Sequence, residues 1–276
     1  MVRFFFFLLI SNIAIAQKKF FLREAGQLPY ITIYTPEQKN SGAAVIICPG
    51  GAYAFRSDDG EGVEPAKKLA AEGITGIVLD YRLPVDKDSS GDYSTTFGDL
   101  QRAIAHVRQH AKKLHIKPDH VGVMGFSAGG HLCSTIATHF KTDYTGELLG
   151  QNLRPDFVIL AYAVISMADS LTHPWSRENI LGKHPSTEKI IGFSNELQVT
   201  DQTPPAFITT AMNDPGVPPQ NSLYFAAALE QHHVPVELFI YTKGGHAYGI
   251  HNNSADVQWI DACIRWIKNK AWKKKK

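Results

Sequence analysis

Short apolar runs and segments of helical spacing alternate along the chain. The runs are nearly continuous and rich in β-branched residues, which is typical of strands buried on both faces of a parallel sheet. The predicted strands cover residues 30–34, 43–48, 74–79, 121–125, 157–161, 206–210 and 236–241. The predicted helices cover residues 65–72, 99–114, 128–140, 222–231 and 255–270. This alternation predicts a single α/β domain, residues 17–276, with a mostly parallel central sheet and helices on both faces.

Residues 166–203 break this alternation. They are rich in polar residues and prolines, and they carry few strand signals. In parallel sheets the reactive residues follow the carboxyl ends of the strands. We therefore expect this segment to be a small cap-like insertion over a site at that edge of the sheet.

Composition restricts the classes of function. The 276 residues are 44% apolar and 20% charged, which fits a folded globular domain. The net charge of +2 supplies no strong field for a nucleic-acid partner, and the lysine tail 273–276 is interpreted as a solvated end. Cys48, Cys133 and Cys263 show no spacing typical of a zinc site or a disulfide framework, so we expect buried thiols at Cys48 and Cys133. Neither a metal nor a cofactor is expected.

The first residues have the pattern of a secretory signal peptide. Arg3 is followed by the apolar run 4–10 and by a small-x-small pattern at 14–16, which predicts cleavage after Ala16. The apolar run is too short to span a bilayer. We therefore expect a secreted or periplasmic protein with no membrane span after cleavage; an uncleaved membrane anchor is the alternative.

Residues 121–130 carry the most specific signal in the chain. They form a predicted strand, a Gly-x-Ser-x-Gly turn centred on Ser127, and the start of a helix. A serine in such a turn projects its Oγ from the sheet, and Gly125 and Gly129 remove side chains that would collide there. The pattern predicts that Ser127 is a nucleophile. The alternative is a tight turn whose serine only caps the helix.

A nucleophilic serine needs N–H donors for the oxyanion of a tetrahedral intermediate. One donor belongs to the residue after the nucleophile, here Ala128. The segment 49–53 follows the strand 43–48, and we expect the N–H groups of Gly51 and Ala52 to complete the oxyanion hole. An ordinary Pro-Gly turn is the alternative, and a phosphate loop is excluded because Gly-Lys-Ser/Thr is missing.

The acid and the base are expected later in the chain, in the order serine, acid, histidine. Asp214 follows the strand 206–210 and His246 follows the strand 236–241, so both belong to the sheet edge that carries Ser127. His246 would accept the serine proton while Asp214 fixes the histidine tautomer. Weaker candidates for the base among the 12 histidines are His232, His233 and His251, and weaker candidates for the acid are Asp201 and Asp256. His106 and His110 have a spacing that could suit a metal, but no carboxylate motif joins them, so they are interpreted as an exposed helix face.

Several further motifs occur between residues 28 and 270. They are residues 48–53 (CPGGAY), 61–62 (EG), 80–84 (DYRLP), 125–132 (GFSAGGHL), 176–179 (SREN) and 244–246 (GGH). Through them the chain resembles the α/β-hydrolase esterases grouped with acetylxylan and feruloyl esterases, some labelled endo-1,4-β-xylanase B-like. Many relatives have a third glycine at Ala52 and an acidic residue at Asn213.

The resemblance implies an α/β-hydrolase fold and hydrolysis of acetyl or feruloyl-type esters. The expected partner is a small ester or an acylated oligosaccharide or polysaccharide such as xylan. Tyr53, Trp175 and Tyr248 lie near the expected site loops and are interpreted as substrate-binding residues that stack on sugar rings, with ordinary packing as the alternative. Glycosidase activity is not expected, because no motif supplies paired carboxylates. The alternatives are a serine peptidase or amidase of the same fold and a non-catalytic carbohydrate-binding relative.

Overall fold

The computed structural model describes residues 16–23, 26–36, 40–84 and 92–269. Its strands are β1 (Ala16–Phe21), β2 (Tyr30–Thr35), β3 (Ala44–Cys48), β4 (Thr75–Asp80), β5 (Val121–Phe126), β6 (Val158–Ala161), β7 (Ala206–Ala211) and β8 (Val236–Tyr241). Its α-helices are α1 (Glu64–Ala71), α2 (Tyr93–Gln109), α3 (Ser127–Thr138), α4 (Pro174–Leu181), α5 (Thr187–Phe193), α6 (Gln220–Gln231) and α7 (Trp259–Lys268). Two shorter helical segments are a π-turn at Asp59–Val63 and a 3₁₀ turn at Asn195–Leu197.

The strands form one sheet in the order β1-β2-β4-β3-β5-β6-β7-β8. The pairs β1–β2 and β2–β4 are antiparallel, and all the other pairs are parallel. The prediction of a mostly parallel sheet is confirmed. The carboxyl ends of β3, β5, β7 and β8 therefore meet at one edge, where parallel sheets place their reactive residues.

Each central strand is buried on both faces. In β3, Ile46 packs into a core layer that contains Leu100 of α2 and Leu132 of α3. Its neighbour Ile47 packs into the opposite layer, which contains Trp259 of α7. Alternate side chains of a strand point to opposite faces, so a continuous apolar run is what two covered faces require. The three cysteines are free and buried in these layers.

Two helices begin away from their predicted positions because polar side chains set their ends. α2 starts at Tyr93, before the predicted residue 99, since the side chain of Asp92 accepts a hydrogen bond from the N–H of Ser94 at 2.9 Å. α7 starts at Trp259, after the predicted residue 255. The Gln258 amide donates to the carbonyl oxygen of Ala255 at 2.8 Å and holds the preceding residues in a loop.

The segment 166–203 lies between β6 and β7 and contains α4, α5 and the 3₁₀ turn. Asn195 fastens it to the body of the domain: its amide donates to Ser134 Oγ at 2.8 Å and Thr135 Oγ1 at 3.0 Å on α3. The Asn195 N–H donates to the carbonyl oxygen of Ile165 at 3.1 Å. We call residues 166–203 the cap segment.

The predicted signal peptide lies outside the described residues except for Ala16, which begins β1, and the lysine tail 273–276 also lies outside them. None of the helices in the described part of the chain combines the length and the apolar character needed to cross a bilayer. Among the same residues, His, Cys, Asp and Glu side chains form no group of three or more that could hold a metal ion.

Candidate active site

The turn between β5 and α3 presents Ser127. Phe126 is extended, with φ −112° and ψ 134°, and Ser127 has a left-handed φ of 49°. A Cβ on Gly125 would overlap the carbonyl group of Gly129, and a Cβ on Gly129 would overlap the carbonyl group of Cys48. The turn therefore requires glycine on both sides of a strained serine, which is the geometry of a nucleophile elbow.

Three side chains from separate loops meet at this turn. The Nε2 atom of His246 lies 2.9 Å from the Oγ atom of Ser127, and its Nδ1 atom lies 2.7 Å from Oδ2 of Asp214. Asp214 follows β7 and His246 follows β8. The structure thus brings together the three residues predicted as nucleophile, base and acid.

Hydrogen-bond donors on the Asp214 loop determine the proton positions. Oδ1 of Asp214 accepts from the N–H groups of Gly216 at 2.8 Å and Val217 at 2.9 Å, and the Asp214 side chain has no exposed surface. A carboxylate only accepts, so the His246 Nδ1 carries the proton that faces Asp214. In the neutral imidazole, Nε2 then has a free lone pair for the hydroxyl proton of Ser127.

Asn213 joins the acid loop to the histidine loop. Its Oδ1 atom accepts from the N–H groups of Gly244 at 2.9 Å and Gly245 at 3.0 Å. An acidic residue offers the same oxygen acceptor, so the departure from the usual sequence at this position keeps the contact.

The other histidines considered in the sequence lie elsewhere, and His106 and His110 are partly buried rather than on the exposed helix face that was expected. His251 pairs with Glu64 at 3.1 Å on the surface. His106 and His110 stack on α2 with ring centroids 4.2 Å apart, and burial together with the neighbouring His110 lowers the pKa of His106 to about 4. His232 and His233 lie just beyond the end of α6.

The glycine loop after β3 lies beside the serine. Gly51 and Ala52 line the same cleft as Ser127 and His246. Gly51 has a φ of 125° and Ala52 a φ of 55°. Ala128 is the second residue of α3, where N–H groups have no carbonyl partner within the helix. The three predicted oxyanion donors are thus next to the nucleophile.

Side chains from distant elements hold this loop. The Tyr81 hydroxyl donates to the Pro49 carbonyl oxygen at 2.7 Å. The Asn179 amide, from α4 of the cap segment, donates to the Ala52 carbonyl oxygen at 2.8 Å. The N–H of Gly50 donates to Glu61 at 2.7 Å, so this N–H group is already engaged.

The three predicted substrate-binding aromatic residues have different positions. Trp175 is 50% exposed and lines the cleft. Tyr53 is fully buried, with its hydroxyl 2.9 Å from Nδ1 of His131, so the predicted role in binding substrate is corrected to one in packing. Tyr248 is corrected likewise: its ring packs on Tyr162, its hydroxyl contacts Thr209 at 3.1 Å, and burial raises its pKa.

Five further residues line the cleft that the sequence does not predict as site residues: Phe55, Ser57, Glu61, His173 and Ala247. The Phe55 ring is 52% exposed, and its centroid lies 6.3 Å from that of Trp175. Burial and the nearby His246 lower the pKa of His173, whose Nδ1 accepts from the N–H of Ser176. Of these residues, Glu61 belongs to a motif that supports the family resemblance, although the motif did not indicate a position in the cleft.

A strained serine after β5, an aspartate after β7 and a histidine after β8 define an α/β-hydrolase. The family model described as BD-FAE matches residues 31–229. The chain belongs to the BD-FAE family.

Known proteins of this kind confirm the resemblance found in the sequence. The chain is 38% identical over 220 residues to an acetylxylan esterase of Xylanibacter ruminicola, a match covering 78% of this chain and 43% of that protein. It is 32% identical over 236 residues to an endo-1,4-β-xylanase B of Butyrivibrio fibrisolvens, a match covering 85% of this chain and 37% of that protein. The chain therefore spans less than half the length of these two curated relatives.

A solved structure extends the likeness to the whole domain. The acetyl ester-xyloside bifunctional hydrolase of Caldicellulosiruptor lactoaceticus superposes with a TM-score of 0.82 at 32% sequence identity. The match covers 95% of this chain and 99% of that chain. The α/β-hydrolase fold predicted from the sequence is thus confirmed.

Proposed function

We propose that this chain is a serine esterase that removes acetyl or feruloyl-type groups from xylan or other plant-polysaccharide fragments. The observation that carries the proposal is the approach of His246 Nε2 to Ser127 Oγ at 2.9 Å, with His246 Nδ1 held by Asp214 at 2.7 Å. The choice of substrate is supported by the similarity to proteins named acetylxylan esterase and acetyl ester-xyloside hydrolase.

The reaction is a two-step acyl transfer. Ser127 Oγ attacks the ester carbonyl carbon while His246 takes the hydroxyl proton, and the resulting oxyanion accepts hydrogen bonds from the Gly51, Ala52 and Ala128 N–H groups. The tetrahedral intermediate collapses, and His246 returns its proton to the departing sugar hydroxyl. Water, deprotonated by His246, then attacks the acyl-serine and releases the carboxylate product.

The shape of the cleft suits a small acyl group on a sugar. The cleft has a volume of about 230 Å³ and is open to solvent, and Phe55 and Trp175, which line it, expose about half of their surface. Aromatic faces pack well against the apolar faces of sugar rings. We therefore place the acyl group near Ser127 and the sugar against these two rings.

Glycoside hydrolysis is not part of the proposal. That chemistry uses two carboxyl groups flanking the scissile bond. Among the described residues that line the cleft, Glu61 is the one carboxylate, and both of its oxygens accept hydrogen bonds from the protein.

The first test is hydrolysis of a chromogenic acetate ester. We expect the wild-type chain to cleave it and Ser127→Ala to lower kcat by at least about a thousandfold, because the covalent step is lost. Ser254→Ala, at an exposed position, is the matched control and should keep full activity. Full activity in Ser127→Ala would refute the assignment.

A second test separates the alternatives. Acyl release from acetylated xylan, acetylated oligosaccharides and feruloylated arabinoxylan is compared with cleavage of aminopeptide amides. Cleavage of the amides in preference to the esters would favour a peptidase or amidase. A serine phosphonate should label Ser127 covalently, and a chain that stays unlabelled and inactive would be the non-catalytic carbohydrate-binding relative.

We propose further that the chain is exported and cleaved after Ala16, since residues 1–16 have the pattern of a signal peptide. A polymeric substrate outside the cytoplasm agrees with this location. N-terminal sequencing of the protein recovered from the periplasm or the medium should begin at Gln17. Recovery of a chain that still carries Met1 would contradict the cleavage.

A further inference from the structure

Glu61 is a buried carboxyl group at the cleft that the reaction described above does not use. It lies on the π-turn Asp59–Val63, is 5% exposed, and lines the cleft together with Ser127 and His246. A buried carboxylate loses hydration, so it persists only where the protein supplies hydrogen bonds in return.

Three hydrogen bonds in series connect Gly50, Glu61, Tyr162 and Gly249. The N–H of Gly50 donates to Oε2 of Glu61 at 2.7 Å, and the Tyr162 hydroxyl donates to Oε1 at 2.8 Å. The N–H of Gly249 donates to the Tyr162 hydroxyl oxygen at 3.0 Å. Because Gly249 can only donate, the single hydroxyl proton of Tyr162 is directed to Glu61.

Both oxygens of Glu61 are therefore acceptors in these bonds, which is the arrangement of an ionised carboxylate. Burial raises the pKa of Glu61, while the bonds from Tyr162 and Gly50 and the nearby His246 act in the opposite direction. The titratable groups that face Glu61 are Tyr162, Tyr81 and His246.

The series joins two loops of the site. Gly50 precedes the predicted oxyanion donors, and an added Cβ there would lie 2.7 Å from Glu61 Oε2 and 3.0 Å from Ser127 Cβ. Gly249 closes the loop that carries His246, and the Tyr162 ring packs edge-on against the His246 ring with centroids 5.0 Å apart. The Glu61 carboxylate thus contacts Gly50, in the loop that would receive the oxyanion, and Tyr162, whose ring packs against the base His246.

We propose that Glu61 is a positioning residue of the esterase reaction. As a carboxylate it fixes the glycine loop 49–53, called the oxyanion loop below, through Gly50, and the loop that carries His246 through Tyr162; its charge stabilises the His246 imidazolium. The inference rests on the proposed serine-esterase function. During attack, His246 gains a positive charge, and a fixed negative charge in a buried site favours that state.

The test uses Glu61→Gln, Tyr162→Phe and the matched control Glu64→Gln. Glutamine is neutral, and only its Oε1 atom can accept. If Oε1 keeps the bond from the Gly50 N–H, the N–H₂ group faces the Tyr162 hydroxyl, which must then accept instead of donate, so the hydroxyl proton loses its acceptor. In the other orientation the N–H₂ group meets the Gly50 N–H, and that bond breaks. With a chromogenic acetate ester we expect Glu61→Gln to lower kcat about 10- to 100-fold, with KM changed less than about threefold, since an oxyanion donor is worth about 100- to 1000-fold. Glu64 is half-exposed, and its variant should behave as wild type.

A second readout separates positioning from a purely structural role. The acid limb of the kcat/KM pH profile reports protonation of the base in the free enzyme. Removal of a negative charge near His246 should move this limb to lower pH in Glu61→Gln and leave it in place in Glu64→Gln. A folded Glu61→Gln variant that keeps kcat within threefold of wild type, or whose acid limb does not move, overturns the proposal.

Tyr162→Phe keeps the test available if Glu61→Gln does not fold. It retains the ring against His246 and removes only the hydroxyl bridge between Glu61 and Gly249. We expect kcat to fall about 10-fold with KM unchanged, and a kcat within threefold of wild type overturns the proposal. Loss of the proposed function itself would look different, because the wild type would then fail to cleave the ester or Ser127→Ala would retain activity.

Discussion

The nucleophile turn and the oxyanion loop are both strained, but they are held in different ways. Ser127 has a φ of 49°, and in the loop Ala52 and Tyr53 have φ of 55° and 60°. Each such residue costs about 1–3 kcal/mol and persists only where its surroundings over-determine it. The Ser127 turn is fixed by close backbone packing: a Cβ on Gly125 would overlap the carbonyl group of Gly129 within the turn, and a Cβ on Gly129 would overlap that of Cys48 at the end of β3.

The oxyanion loop depends instead on side chains far away in the sequence. Asn179, 127 residues from Ala52, holds the Ala52 carbonyl, and the Tyr53 hydroxyl contacts His131. We therefore expect the nucleophile turn to lose its function in one step when its backbone packing is disturbed. A loop held by several separate side chains should lose activity in graded steps.

The largest effect is expected from Gly129→Ala, which disturbs the backbone packing of the nucleophile turn. The new Cβ would overlap the carbonyl groups of Cys48 and Pro49, so β3 and α3 must separate. We expect kcat/KM to fall more than about a thousandfold and the free energy of unfolding to fall by about 3 kcal/mol, measured by urea titration. Gly192→Ala is the control, because an added Cβ there has no atom within 4 Å. Wild-type kinetics in Gly129→Ala would show that the turn is not fixed by close packing.

The next effect is a pH dependence of the free energy of unfolding. It is caused by His131, which holds the Tyr53 hydroxyl. His131 is fully buried; its Nε2–H donates to the Phe193 carbonyl oxygen at 3.0 Å, and its Nδ1 accepts from Tyr53. Burial lowers the pKa of His131 from 6.5 to about 4. Between those values the unfolded chain binds a proton that the folded chain does not, so stability is lost as pH falls from about 6.5 to about 4.

The loss attributable to His131 should approach about 3 kcal/mol at pH 4. Urea unfolding of wild type and His131→Asn is measured from pH 7 to pH 4, and the variant should have a flatter dependence. His184→Asn, at an exposed position, should keep the wild-type slope. If the free energy of unfolding changed equally with pH in His131→Asn and in wild type, the attribution of this dependence to His131 would be wrong.

A smaller effect is expected when one support of the loop is removed. Asn179→Ala deletes the donor to the Ala52 carbonyl oxygen. The bond from the Tyr81 hydroxyl to the Pro49 carbonyl oxygen and the bond from the Gly50 N–H to Glu61 remain. We expect kcat/KM to fall about 10-fold, because one hydrogen bond contributes about 1–1.5 kcal/mol. Glu178→Ala, on the same helix and half-exposed, is the control. A loss as large as that in Gly129→Ala would mean that the loop is not held in separate parts.

The smallest effect is expected from Ala52→Gly. Glycine accepts a φ of 55° without strain, while the N–H group that would face the oxyanion remains. The relief of strain and the greater freedom of the unfolded chain oppose each other, so kcat/KM and the melting temperature should stay close to wild type, within about threefold and a few degrees. A fall of more than about thirtyfold in kcat/KM would show that the Ala52 methyl group itself contributes to the site.

The sequence was sufficient for the parts of the site that are local. Ser127, Asp214 and His246 lie just beyond the carboxyl ends of the parallel strands β5, β7 and β8, so the sheet brings them to one edge. The roles of Tyr53 and Glu61 were not foreseen. Both are decided by contacts with residues far along the chain, and a nearby aromatic residue does not reveal which way its ring points.

The strands and helices also divide into those that the sequence predicts and those that it does not. Central strands buried on both faces were predicted close to their bounds, whereas β1 was not predicted. Among the described strands it pairs with β2 alone, at the sheet edge, and its lysines Lys18 and Lys19 interrupt any apolar pattern. The short helices α4 and α5 were also missed, because their starts are set by the side-chain caps His173 and Ser186 rather than by an apolar stripe.

The fastening of the cap segment has a consequence for what can enter. Asn195 joins it to α3, and Asn179 joins it to the oxyanion loop, so lifting it like a hinged cover would break both attachments and displace the catalytic groups. The shape of the cleft opening is therefore determined by the fold. Under the proposed function, an acylated polysaccharide would present its ester to this opening, and the outline of the opening would discriminate between one acyl group and another.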